Sequence, residues 1–204
     1  MAVAEWLFAF YLGAAHTQRA ALAFSQRDPP SEISFTSTDF RGESFAPPLY
    51  YGYRVSYFPG GAPLGVEGEF THLKVYANLP GGSVVQRFSM SHGLNLALVN
   101  LAARRTIRDS GQGPIRITAR VGAGPTVPHV ESAIQGVSRE GYELGSIALH
   151  AGAGMEIALR GHISMLAEYR VTRTREHVEV AGGDARGLFV SHHAVVGVAW
   201  RTTR

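Results

Sequence analysis

Apolar and polar residues alternate along most of this chain with a period of two rather than 3.6, the pattern of strands that present one apolar and one polar face. Trp6, Phe8, Phe10 and Leu12 alternate with Leu7, Ala9, Tyr11 and Gly13. Tyr51, Tyr53, Val55 and Tyr57 alternate with Gly52, Arg54 and Ser56, and Ile115, Ile117, Ala119 and Val121 with Arg116, Thr118 and Arg120. The same alternation returns at 147–157, 163–169 and 194–200. It predicts strands at 5–15, 49–58, 65–77, 92–105, 114–125, 143–159, 162–176 and 188–201. Strands this long exceed the roughly 5–6 residues usual in globular proteins and match the ~9–11 of a tilted membrane-crossing strand.

The connections divide into two kinds. Segments 16–48, 78–91, 126–142 and 177–187 are long, whereas 59–64, 106–113 and 160–161 are short. Long connections on one side and tight turns on the other are the habit of outer-membrane barrels. The first long connection also holds a strand-like stretch at 33–40, which makes it more than a linker. The expected fold is therefore all-β: an eight-stranded, antiparallel, up-and-down transmembrane β-barrel formed by a single domain over 1–204.

The polar faces carry Arg54, Glu67, Glu69, Arg120, Glu168 and Arg170, with His150 as a further hydrogen-bonding partner. An eight-stranded barrel has an interior just wide enough for side chains. These opposite charges are expected to meet inside it as a polar plug, which argues against a water-filled pore. A soluble, lipocalin-like barrel would invert the pattern, with an apolar lumen and a polar exterior.

Composition narrows the picture further. The chain has 204 residues, of which 17% are charged, below the roughly 25% of an ordinary soluble domain. No cysteine is present, so disulfides and thiolate–metal sites are excluded. The net charge is only +3 and the basic residues are dispersed, without the clustered runs that nucleic acid attracts. The longest uncharged stretch, 88–103, is too short for a membrane helix. Met1-Ala2-Val3-Ala4 leads directly into a strand, as in a mature chain after removal of an export signal.

On the long-connection side, three polar clusters are expected to converge on neighbouring strands: Thr71-His72-Leu73-Lys74, Ser91-His92-Gly93-Leu94-Asn95 and Pro128-His129-Val130-Glu131. Two histidines and a glutamate can ligate a divalent metal, and His or Glu can act as general base. Lys74 is the single lysine beside eighteen arginines, and its compact charge suits a phosphate. The pair His192-His193 points to opposite faces of a strand and is read as structural.

The run Glu69-Phe70-Thr71-His72-Leu73-Lys74-Val75-Tyr76, then His92-Gly93-Leu94-Asn95-Leu96 with Asn100, then Val127-Pro128-His129-Val130-Glu131, resembles the small outer-membrane barrel family that includes the rhizobial lipid A oxidase. That resemblance implies an oxygen-dependent conversion of the proximal glucosamine of lipid A to 2-aminogluconate. It implies an active site among His72, Lys74, Asn95, His129 and Glu131, with molecular oxygen as co-substrate and lipid A or lipopolysaccharide as partner. The clustering of the motifs, not the resemblance, makes His72, His129 and Glu131 the expected ligands of a divalent metal ion cofactor. The sequence departs from the family at Ser91-His92, where Thr-Asp is expected. The alternative reading is a non-enzymatic outer-membrane barrel with a structural, lipid-binding or assembly role, whose rim contacts lipid or a protein partner.

Overall fold

The computed structural model describes residues 4–110 and 113–203. Among the described residues there are thirteen strands: β1 (Glu5–Thr17), β2 (Ala20–Arg27), β3 (Pro30–Arg41), β4 (Tyr51–Phe58), β5 (Leu64–His72), β6 (Val75–Asn78), β7 (Val85–Met90), β8 (Leu94–Ser110), β9 (Gly113–Ile134), β10 (Val137–Tyr142), β11 (Ile147–Arg160), β12 (Ile163–Val180) and β13 (Gly183–Thr203). Every pairing is antiparallel, and the order β1-β4-β5-β8-β9-β11-β12-β13 returns to its start because β13 pairs β1 from Glu5↔Thr203 to Thr17↔Ser191. Closure leaves this circuit without a sheet edge, the condition for placing strands in hydrocarbon.

The wall of the circuit is apolar outside. Trp6, Phe8, Phe10 and Leu12 are exposed on β1, Leu64 and Val66 on β5, and Ile163, Met165 and Tyr169 on β12. Aromatic pairs mark both margins of this belt: Trp6 with Tyr57 at 4.8 Å between ring centroids and Phe8 with Trp200 at 5.8 Å at the short-turn end, and Tyr53 stacked on Phe70 at 5.1 Å at the other. An exposed apolar belt with aromatic girdles is matched to lipid rather than water.

Inside the belt lies an ion network. Arg54 contacts Glu69 at 2.9 Å and Glu168 at 3.0 Å. Arg120 contacts Glu67 at 2.9 Å and also pairs with Glu168. Arg170 pairs with Glu69 and donates to the hydroxyls of Tyr11 at 3.0 Å and Tyr50 at 2.5 Å. Three guanidinium groups thus face three carboxylates, all buried, and desolvated charges are tolerable because each is paired. Asn100 extends the network from Glu69 at 2.7 Å to His150 at 2.9 Å. Gly52 makes room for it, since a Cβ there would lie 2.2 Å from the Tyr11 hydroxyl.

Beyond the eight strands of this circuit, five more (β2, β3, β6, β7 and β10) are found among the described residues, because the long connections are themselves β-structure. Segment 16–48 contains the β2–β3 hairpin, 78–91 contains β7, and 126–142 contains the end of β9 together with β10. Segment 177–187 is not a loop: β12 and β13 run through it, reversing at Ala181-Gly182 with Gly182 at φ +71°. The expected strand 65–77 is broken at Leu73-Lys74, where the Leu73 carbonyl accepts from the Leu94 amide at 2.7 Å instead of continuing the ladder.

These additions build a second tier above the belt. There β13 exchanges β1 for β2, and the path runs β2-β3-β6-β7-β9-β10. Side chains tie this path back to β12 and its turn: Arg139 on β10 meets the Glu179 carboxylate at 2.6 Å, and Ser132 on β9 accepts from the Ala181 amide at 2.9 Å. The core of this tier is apolar, with Phe24 edge-on to Phe88 at 5.4 Å and Phe40 against Phe189 at 5.2 Å.

Strand β12 shows the inversion in one stretch. Ile163, Met165, Ala167 and Tyr169 face outward and Ser164, Glu168 and Arg170 inward, whereas beyond Val171 the outward residues are Arg173, Arg175, His177 and Glu179 and the inward ones end in Val178 and Val180. The period of two never slips; only its chemical sense reverses, where the surroundings change from lipid to water.

A plugged lumen beneath an apolar core predicts no sustained ion conductance from the purified protein in planar bilayers; steady open-channel currents would refute it. Truncating Arg170 takes one of two guanidinium partners from Glu69 and the charged donor from the Tyr11 and Tyr50 hydroxyls, so Arg170→Ala should destabilise the barrel by about 3 kcal/mol, read as a lower urea midpoint in the heat-modifiable gel shift.

Candidate functional site

The candidate residues occupy outward register positions of the wall, in line with the belt, although His72, Asn95 and Glu131 are themselves buried. On β5 the outward positions run Val66, Gly68, Phe70, His72; on β8 they run Leu101, Val99, Ala97, Asn95; on β9 they run Val121, Ala123, Pro125, Val127, His129, Glu131. These strands are neighbours, with Phe70 opposite Ala97 and Asn95 opposite Val127. Directly above the apolar belt, the same register therefore presents imidazole, amide and carboxylate. These positions lie on the side of the barrel rather than at the mouth of the lumen.

Two groups form within it. In the first, the His72 Nδ1 lies 2.8 Å from the Asn95 Oδ1, and the Asn95 amide donates to the Val127 carbonyl at 3.0 Å. The His72 ring stacks on Tyr51 at 5.1 Å, and its Nε2 is buried without a hydrogen-bond partner among the described residues. Gly93 keeps this pair together: at φ +110°, its missing Cβ would lie 2.5 Å from the His72 Nδ1 and 2.6 Å from the Asn95 Oδ1. Only glycine adopts that conformation freely.

In the second group, ligand atoms of His92, His129 and Glu131 all lie within 4.8 Å of one another. His92 comes from the turn between β7 and β8, and its Nδ1 is 3.3 Å from the Glu131 Oε1. The His129 Nδ1 is 3.9 Å from the same oxygen, buried and without a hydrogen-bond partner among the described residues. Burial of the ring, reinforced by nearby His92, pushes His129 below the usual imidazole range, which favours the neutral, metal-binding form. Two imidazoles and one carboxylate with open positions form the donor set of non-haem iron sites that use dioxygen. The residues thus fit a divalent metal, with His92 in the place expected for His72.

Lys74 is occupied elsewhere. Its buried ammonium donates to the carbonyls of Ala46 at 2.9 Å and Pro47 at 3.5 Å and lies 3.7 Å from Glu43, fastening the segment ahead of β4. Arg87 is an addition that the sequence did not single out: it pairs with Glu131 from the adjacent strand β7. The signal for the lateral arrangement was present in parity, since His129 and Glu131 share odd numbering with Val121 and Ala123.

The closed, outward-apolar sheet defines a class: the fold is that of a small outer-membrane β-barrel protein. One solved structure supports this fold at low identity, and others are similar at lower scores. The outer membrane protein AlkL, seen in lipid bilayers, is 10% identical over 98% of this chain and 90% of its own, with a TM-score of 0.50. Neisserial surface protein A is 14% identical over 96% of both chains with a TM-score of 0.44, and the attachment invasion locus protein Ail of Yersinia pestis is 12% identical over 99% and 100% with 0.43. No protein-family model and no curated protein sequence matches the chain.

Gly93→Ala should lower stability by about 1–3 kcal/mol and move the His72 ring resonances in NMR spectra of the still-folded barrel. Unchanged stability and unchanged resonances would show that Gly93 does not hold the His72–Asn95 pair.

Proposed function

We propose that the protein is a bacterial outer-membrane barrel, exported with loss of a signal segment, that oxidises the proximal glucosamine of lipid A in an oxygen-dependent reaction. The observation that carries this reading is the continuity of the outward register from the apolar belt into His72, Asn95, His129 and Glu131. A lipid whose acyl chains lie against the belt brings its sugar to these side chains without leaving the membrane. The motif resemblance to the lipid A oxidase family supplies the reaction, and the His92, His129 and Glu131 donor set supports a divalent metal cofactor.

The reaction balances as a two-electron oxidation. The lactol carbon of the glucosamine loses two electrons and two protons to become a lactone, and dioxygen takes up both to become hydrogen peroxide. Water then opens the lactone to 2-aminogluconate, a net gain of one oxygen atom. What a bound divalent metal supplies is the redox route to dioxygen. The chain's own residues bind and orient: Asn95 fixes the His72 ring through its Nδ1, and Glu131 sets the charge beside the reacting sugar.

The binding of Lys74 to Ala46 and Pro47 favours a second reading, a non-enzymatic barrel that uses the same face to hold lipid or an assembly partner, because it removes Lys74 from direct contact with a ligand.

Mass spectrometry of lipid A from a Gram-negative host expressing the chain separates the two. The oxidase reading predicts a species heavier by one oxygen atom, formed in air, lost under anaerobic growth and lost with His129→Ala. Lipid A of unchanged mass, with the barrel folded in the outer membrane, would leave the binding role standing.

A further inference from the structure

Beside the His92, His129 and Glu131 group lies a groove of about 170 Å³ lined by Arg87, Glu131, Ser132, Ser138, Arg139 and Glu140. Glu131 belongs to both. One of its carboxylate oxygens faces the two imidazoles and the other pairs with Arg87. Across the β9–β10 ladder Glu131 stands directly opposite Glu140, and Arg139 is paired with Glu179 at 2.6 Å. Two guanidinium groups (Arg87, Arg139) therefore face three carboxylates (Glu131, Glu140, Glu179), a local sum of −1. In that state the groove repels an anion. A divalent cation held by His92, His129 and Glu131 changes the sum to +1 and weakens the claim of Glu131 on Arg87, for which it is the one acidic partner among the described residues.

We infer that this groove is a subsite for a phosphate group and that it is switched on by divalent cation binding at His92, His129 and Glu131. The cation binds first and reverses the sign of the local field; Arg87 then turns from Glu131 to the phosphate, for which its planar fork is well shaped. Because the coupling is thermodynamic, the phosphate must tighten the cation by the same factor that the cation tightens the phosphate. The inference rests on the headgroup reading only for the source of the phosphate, a substituent of a membrane lipid; the charge reversal itself involves no oxidation.

The test uses the folded full chain in detergent micelles and the electron paramagnetic resonance signal of free Mn²⁺. Mn²⁺ alone should bind one equivalent, and inorganic phosphate should tighten it about tenfold. His92→Ala should weaken Mn²⁺ with and without phosphate. Arg87→Gln, a change at a half-exposed side chain, should keep Mn²⁺ binding but lose the response to phosphate. Comparing lipid A with its dephosphorylated form identifies the source. A response to the phosphorylated lipid alone supports the subsite and assigns it to the headgroup, while a response to inorganic phosphate but equal behaviour of the two lipids supports it and assigns it to the free ion. No bound Mn²⁺, or Mn²⁺ binding indifferent to every phosphate, overturns the inference. Intact coupling with unchanged lipid A mass would defeat the oxidase reading alone, and oxidised lipid A without coupling would defeat this one alone.

Discussion

Arg170 is buried in the centre of the barrel, where it joins Glu69, Tyr11 and Tyr50, and Glu69 passes the connection on to Arg54 and Asn100. These residues sit on strands distributed around the circuit, so the network ties opposite walls to one another through the lumen. An isolated charge at that depth would carry a desolvation cost of several kcal/mol. Pairing three arginines with three glutamates removes the isolation and fills the space that small hydrophobic side chains would leave open. The apolar exterior can then face lipid because the polar residues have one another.

The tier above the belt solves the opposite problem. Water surrounds it, so Arg173, Arg175, His177 and Glu179 face outward and Phe24, Phe40, Phe88 and Phe189 collect inside. β9, β12 and β13 run through both tiers as continuous strands, which joins a membrane-type lumen to a soluble-type core in one wall. The lipocalin-like pattern, an alternative for the whole chain, is thus realised in its upper tier.

The candidate site occupies the boundary between these regimes. His72, Asn95, His129 and Glu131 follow directly upon lipid-facing positions of β5, β8 and β9, where the outward face has just ceased to be apolar. The network that fills the lumen and the face that carries these residues are the two sides of the same strands.

The period-two alternation determined much of this by itself. Within each strand, residue parity assigns side chains to one face or the other, so the apolar belt, the charged lumen and the placement of Arg54, Glu69 and Arg170 were legible before any fold was known. The strand-like stretch at 33–40 was legible too, as β3. Segment 177–187 was not, because apolar residues directed inward and charges directed outward reverse the chemistry used to recognise a barrel strand while keeping its period. The substitution of His92 for His72 beside His129 and Glu131 could come only from tertiary structure. Gly93 at φ +110° turns the chain between β7 and β8, and the pairing of β8 with β9 then fixes which imidazole meets the carboxylate. Parity is a local property and is written in sequence; proximity between side chains on separate strands depends on closure, register and turn geometry, which the folded chain alone decides.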